Sequence, residues 1–352
     1  MLRKSISSLA VVFFSLSLLG QDKPQLQKQD KDKEYTLSVE TLEVNLPISV
    51  LDKEGRPVDG LKQEHFQIFE DKIQQTIKTF RHEDIPLSLG LVIDNSGSMR
   101  NKRERVNSSA LSFVRESNPE DETCIINFDD SAYLEQDFTG SIGDLIDALE
   151  NIDARGETAL YDALYLAAEK VTKDGKKDKK AILLITDGED NTLQSRLELR
   201  AVGATVAQGS FLSFDELLAG AAENDALIYS LHFDPVSFQP STIQQATPGK
   251  PAPTIQIQTS SNPRKLVTPA LTEIAKDQMR ALADASGGRF YHADRIEDLK
   301  GVFEQVAAEL RTVYSLAYSP TNQNFDGSFR RIRVQLNKPG VAIRTRPGYY
   351  GR

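Results

Sequence analysis

The segment LVIDNSGSM, residues 91–99, places an oxygen-bearing side chain at every second position: Asp94, Ser96 and Ser98. An apolar strand runs straight into this turn, and Gly97 lets the backbone bend tightly there. Two further segments offer the same chemistry. Thr158 lies in GETAL, at the expected opening of a helix, and Asp187 follows the apolar run AILLIT. In an open parallel sheet ligands bind outside the carboxyl ends of the strands, so all five side chains are expected at one edge. Hydroxyls and carboxylates without a soft ligand suit a hard cation: Mg²⁺ first, Mn²⁺ as a substitute, Ca²⁺ less well. The competing structural reading makes Asp94, Ser96 and Ser98 a helix cap. Capping needs one such residue, not three alternating ones joined by Thr158 and Asp187.

Catalytic patterns find less support. The run Asp94-Asn95-Ser96-Gly97-Ser98 lacks the leading glycine of a G-x-S-x-G nucleophile elbow. The four histidines, His65, His82, His232 and His292, read as ordinary surface or strand-end residues, and neither H-E-x-x-H nor a P-loop is present. A hydrolase is therefore the weaker alternative, and no catalytic residue is expected. A formal net charge of −9 disfavours a nucleic-acid partner. Cys124 is the one cysteine, cannot form an intramolecular disulfide, and reads as a small buried hydrophobe.

With D-x-S-x-S after a strand, a threonine at a later helix start and T-D-G after another strand, the chain resembles von Willebrand factor A domains with their metal-ion-dependent adhesion site. The resemblance covers roughly residues 87–312. It implies that Ser96, Ser98 and Thr158 ligate the metal directly, while Asp94 and Asp187 act directly or through water. It also implies a binding module whose metal completes its coordination with a Glu or Asp of a partner protein. A scaffold with a merely stabilising metal is the other non-enzymatic reading. The flanking parts, GRPVDGLKQEHFQIFED and RTRPGYYG, are similar to secreted bacterial proteins related to that family.

The elements that would position these residues follow from periodicity. Apolar strands are expected at 87–93, 124–128, 181–186, 227–233 and 289–292, with helical periods around Val106–Val114, Leu145–Leu149, Leu160–Val171 and Leu299–Leu310. That alternation predicts an α/β fold: a doubly wound, mostly parallel, Rossmann-like sheet covered on both faces. It spans 84–312. Strict alternation through Leu42, Val44, Leu46, Ile48 and Val50 marks a half-buried strand, placed at a sheet edge by Pro47. Further β signals at Phe66, Ile68, Ile77 and Phe80, and again at Tyr314–Tyr318, Ile332–Leu336 and Val341–Ile343, define segments 35–83 and 313–352. Each segment is too small to bury a core alone. They are expected to pair into one small β-sandwich into which the α/β domain is inserted, two separate appendages being the alternative.

The N-terminus carries Arg3 and Lys4 before the apolar stretch Leu9–Leu19, too short for the roughly 20 residues that span a bilayer. Residues 1–20 read as a signal peptide, with no cysteine following for a lipid anchor, and removing its two basic residues takes the charge from −9 to −11. The chain is thus expected to be exported, secreted or periplasmic, with no transmembrane span afterwards. Residues 21–34 read as a flexible tether. The run KDGKKDKK, 173–180, reads as a solvated loop, and Tyr349-Tyr350 as residues sealing the sandwich. Two long insertions, 191–213 and 234–270, follow strand ends and should emerge beside the metal.

Overall fold

The structure, a computed structural model, describes residues 43–82, 85–100, 102–115, 118–151, 156, 158–188, 190, 209–233, 269–293 and 295–351. The expected signal, the tether and most of both insertions lie outside the described residues, as do Asn101 and Glu157.

The central strand is β5 (Leu87–Asp94), in which every residue is buried. It lies between β6 (Glu122–Phe128) and β8 (Lys179–Thr186), parallel to both. Beyond β8 follow β9 (Leu227–Phe233) and β10 (Arg289–Ala293), also parallel, while β7 (Ala132–Thr139) closes the other side antiparallel to β6. The order of this six-stranded sheet is β10-β9-β8-β5-β6-β7. Both faces are covered, which is why its inner strands read as continuous apolar runs. On one face α1 (Arg103–Arg115), α2 (Ile142–Asn151) and α6 (Leu299–Arg311) bury Val106, Phe113, Leu145, Leu149, Val302 and Phe303 against Leu89, Leu91 and Ile93. On the other, α3 (Leu160–Asp174), α4 (Phe214–Glu223) and α5 (Pro269–Ser286) bury Leu164, Val171, Leu217, Met279 and Leu282 against Val92, Ile182 and Leu184. Each such side chain contributes about 1.5–3 kcal/mol by its removal from water. Gly90 permits the close seating of α3, since a Cβ there would meet Val171 Cγ2 at 2.7 Å.

The winding of this sheet decides where a site can form. The chain passes from β5 outward to β6, but from β8 outward to β9 in the opposite direction. The switch therefore falls between β5 and β8, and a crevice opens outside their carboxyl ends.

The remaining strands come from the two ends of the described chain. β1 (Val44–Leu51), β4 (Ile77–Arg81), β11 (Tyr314–Tyr318) and β13 (Ala342–Arg344) form one antiparallel sheet, in the order β13-β1-β11-β4. β2 (Phe66–Glu70), β3 (Ile73–Gln75), β12 (Phe329–Leu336) and β14 (Gly348–Tyr350) form another, in the order β14-β12-β2-β3. Alternate residues of both sheets, Leu46, Ile48, Ile68, Leu316, Tyr318 and Val334 among them, close on one core. Asp71 and Lys72 adopt φ of 46° and 74° between β2 and β3. Positive φ at both central positions is the turn whose twist matches a hairpin.

Three features depart from the sequence reading. β1 is internal rather than an edge strand, paired on one side with β11 and on the other with β13. Pro47 is tolerated because the register with β13 starts only at Ser49, so the missing N–H costs no bond on that side. The run 173–180 is not wholly solvated: Lys179 opens β8, is 7% exposed, and donates from Nζ to the Leu310 carbonyl at 2.8 Å near the end of α6. A cation is favourable at such a helix end. Finally, β7 and α5 were not anticipated.

Candidate metal site

Asp94 ends β5, and its carboxylate is used at once. Oδ1 accepts the Ser96 N–H at 2.8 Å, and Oδ2 accepts the hydroxyl of Thr186, the last residue of the neighbouring β8. The first bond folds the chain back on itself, and the Asn95 N–H, donating to the Phe128 carbonyl at 2.7 Å, fixes the turn to the end of β6. Ser96 precedes a short 3₁₀ turn, Gly97–Met99, yet makes no side-chain capping bond. Its hydroxyl instead lies 3.0 Å from that of Ser98, and Ser98 donates to Asp187 Oδ1 at 2.9 Å. The capping alternative therefore fails for this serine.

Thr158 arrives from a third segment. Gly156, with φ 70°, accepts from the Gly97 N–H at 3.4 Å, while the Ala159 N–H donates to the Asp129 carbonyl at 2.8 Å. A Cβ on Gly156 would meet the carboxylate of the exposed Asp130 at 2.6 Å, so that side chain would have to move, and the positive φ by itself favours glycine. Thr158 is 1% exposed. Its hydroxyl borders Gly188: a Cβ placed there would lie 3.9 Å from Thr158 Oγ1 and 3.5 Å from Asp94 Oδ2. All five residues named from the sequence thus come together at the carboxyl ends of β5 and β8, at the point where the winding reverses.

Two arrangements around the cluster were not legible beforehand. Lys102, 5% exposed, forms an ion pair with Asp187 Oδ2. The start of α3 is also capped from afar. Ala159 at its N-cap supplies no side-chain acceptor. Asp190 and Ser210 take its place, receiving the Tyr161 N–H at 3.2 and 3.0 Å, and Ser210 also receives the Asp162 N–H at 3.1 Å. This fixes the helix that follows Thr158 to the chain just beyond Asp187.

The donor set fits a hard cation. Two carboxylates and three hydroxyls supply oxygen alone, and among the described residues no three His, Cys, Asp or Glu side chains gather at one point, so the hydroxyls are indispensable. Burial, and then the charge of Asp187, push the Asp94 carboxyl up to about 6. Two buried acidic groups against one ammonium leave a negative balance that a divalent ion would reverse. Burial holds the Cys124 thiol up at about 12, as befits an inert core residue.

The raised Asp94 value gives a pH prediction. Folded Asp94 binds its proton more tightly than the unfolded chain does, so ionising it costs stability as pH rises from about 4 to about 6. Asp94→Asn, which never ionises, should melt increasingly above wild type across that window in EDTA. A melting difference flat with pH would refute the shift. In the same window protons compete with metal, so Mg²⁺ affinity should fall by roughly tenfold for each pH unit below 6.

Comparison with known proteins agrees with this architecture. Residues 89–189, which include all five cluster residues, match the family model of the von Willebrand factor type A domain. Residues 89–189 are thus similar to a von Willebrand factor type A domain. An uncharacterized protein of Synechocystis is 36% identical over 110 residues, 30% of this chain and 26% of that protein. Calcium-activated chloride channel regulator 1 of Mus musculus is 33% identical over 131 residues, 34% of this chain and 14% of its own length. The chain therefore spans about a quarter or less of these curated relatives. Among solved structures, the vWF domain of the type V pili tip protein Mfa5 from Porphyromonas gingivalis is 12% identical, with a TM-score of 0.43, covering 63% of this chain and 94% of that one.

Proposed function

We propose that the chain is a metal-dependent protein-binding module acting outside the cytoplasm. Asp94, Ser96, Ser98, Thr158 and Asp187 would hold Mg²⁺, with Mn²⁺ able to replace it and Ca²⁺ less suited. A Glu or Asp of the partner would complete the coordination. The observation that carries this reading is the meeting of two buried carboxylates and three hydroxyls at the sheet's switch point, where the geometry suits a shared cation and where a partner can reach it. A binding role rather than catalysis is supported by the surroundings of Ser96, whose hydroxyl meets Ser98, while His232 and His292 face each other at 3.2 Å. Export rests on residues 1–20; among the described residues no helix is long and apolar enough to cross a membrane.

The metal alone offers the same position to any carboxylate, so selectivity must come from the surface around it. Phe211 is the clearest candidate. It is 87% exposed, yet its own N–H and that of Leu212 donate to the Asp162 carboxylate at 2.9 and 3.0 Å. An aromatic ring on a fixed backbone, next to the Ser210 that caps the helix following Thr158, would be a good anchor for an apolar side chain near the partner's acid.

A random peptide library selected on the immobilised protein in Mg²⁺, and eluted with EDTA, tests both points. Enriched peptides should carry Asp or Glu beside an apolar residue. Phe211→Ala should weaken them by about tenfold while leaving Mg²⁺ affinity unchanged. Peptides that lack an acid, or that stay bound in EDTA, would overturn metal-dependent recognition and favour a scaffold with a stabilising ion.

A further inference from the structure

The geometry points to Lys102 as a built-in competitor of the metal, a tethered cation that sets how tightly the site holds its ion. This inference rests on the metal-site reading above. Its basis is the way Asp187 is divided. Oδ1 takes the Ser98 hydroxyl at 2.9 Å and Oδ2 takes the Lys102 ammonium. The Asp187 side chain is 0% exposed and that of Lys102 only 6%. Water therefore screens this pair very little, and a charge placed against Asp187 feels the ammonium strongly.

Lys102 differs from an ordinary surface lysine in a second way. Its backbone is committed to the head of α1, donating to the Met99 carbonyl at 2.9 Å and accepting from the Val106 N–H at 3.0 Å. The side chain is thus delivered into the crevice from a fixed point, three residues along from the turn that carries Ser98 and Met99. It also has somewhere else to rest. Nζ lies 5.4 Å from the centre of the Phe233 ring at the end of β9, a distance at which a cation is attracted to the ring face. The ammonium can leave Asp187 for that ring without unwinding the helix.

The electrostatics then work in two directions. Asp94 and Asp187 repel each other in a buried crevice, and the Lys102 charge offsets that repulsion. A divalent ion held by the same carboxylates would meet a positive charge already in place, and must either displace it or bind against it. Lys102 therefore steadies the crevice when no metal is bound and lowers the affinity for metal. Such a site would load only where the cation is abundant and release it readily elsewhere.

The test uses the full chain and Mg²⁺ alone as probe, with calorimetric affinity and melting temperature as readouts. Lys102→Met removes the charge and keeps the apolar stem. It should bind Mg²⁺ at least tenfold more tightly than wild type, a difference of about 1.4 kcal/mol, and melt lower than wild type in EDTA. Saturating Mg²⁺ should close that melting gap. Lys102→Arg keeps the charge and should stay within about threefold of wild-type affinity. Should Lys102→Met fold poorly in EDTA, Lys102→Gln retains a donor toward Asp187 and should show the same gain in affinity. Unchanged or weaker Mg²⁺ binding in Lys102→Met and Lys102→Gln, with wild type binding normally, would overturn the competitor role and leave the metal site standing. No binding in any of the proteins would overturn both together.

Discussion

Asp94→Ala is expected to lower Mg²⁺ affinity by more than about 100-fold, beyond the 10–100-fold that partners outside a metal's ligand shell usually account for. The size follows from what Asp94 does. It ends the central strand, is 1% exposed, and bonds both the turn leading to Ser96 and the hydroxyl of Thr186 on the next strand. Removing it takes away a charge and the anchor of two other segments. At 100 times its dissociation constant, Mg²⁺ should stabilise wild type by about 2.7 kcal/mol, or roughly 5–10 °C of melting temperature for a domain of this size. Asp94→Ala should show no such shift. Asp94→Asn keeps an oxygen to accept the Ser96 N–H, while its NH2 can donate to the Thr186 hydroxyl, and so separates loss of charge from loss of the turn. Ser96→Ala combined with Ser98→Ala should also abolish binding, because it removes two of the cluster's three hydroxyls, which lie 3.0 Å apart. A wild-type metal-induced shift in Asp94→Asn and in the double serine variant would refute the assignment.

The parts of this molecule that could be read from the sequence are those decided locally. Continuous apolar runs at Leu87–Ile93 and Ala181–Thr186 have no stable place except between two covered faces, so both strands and the parallel sheet were visible. The alternation Asp94, Ser96, Ser98 was visible because one tight turn after a strand points every second side chain the same way. What escaped was decided at a distance. The target of Lys102 depends on where β8 ends, and α3 begins at Ala159, whose missing cap is supplied by Asp190 and Ser210 from another segment. β7 was hidden because its residues are mostly half-buried or exposed, with Tyr133 at 48% and Leu134 at 50%. The buried stripe of α5 rests partly on Ala275 and Ala283, which carry too little apolar area to announce a face. Pro47 misled because a proline's cost depends on whether a neighbour pairs at that residue, not on the strand's rank in the sheet.

The second large effect is expected far from the cluster, where Glu70 joins the two small sheets. Glu70 ends β2 and is 2% exposed. One oxygen accepts the hydroxyl of Tyr318 at 2.7 Å, from the opposite sheet, and that of Tyr349 at 2.9 Å, from its own. The other lies 3.5 Å from Nη1 of Arg330, itself 2% exposed and donating to the Asn322 carbonyl at 2.6 Å. Burial first, and then Glu70, raises both tyrosine hydroxyls above their ordinary range, so they stay neutral donors. A buried ion pair adds little net stability, but breaking one by removing a single partner strands the other charge and costs about 3–5 kcal/mol. Glu70→Ala should therefore lower stability by about that amount, leaving two tyrosine hydroxyls without their acceptor and the buried Arg330 charge with only the Asn322 and Asn324 carbonyls and the more distant Asp326. Glu70→Gln keeps an oxygen for the hydroxyls and should cost less. Arg330→Met strands the buried Glu70 carboxylate and leaves the Asn322 and Asn324 carbonyls without their donor, so it should cost more than Glu70→Gln. The chain holds no tryptophan and ten tyrosines, so urea unfolding can be followed by tyrosine fluorescence. Mg²⁺ affinity should not change, since the metal cluster draws on none of these residues. A loss below about 1 kcal/mol in Glu70→Ala would mean that the apolar core closed by the two sheets, and not this polar link, holds the sandwich together.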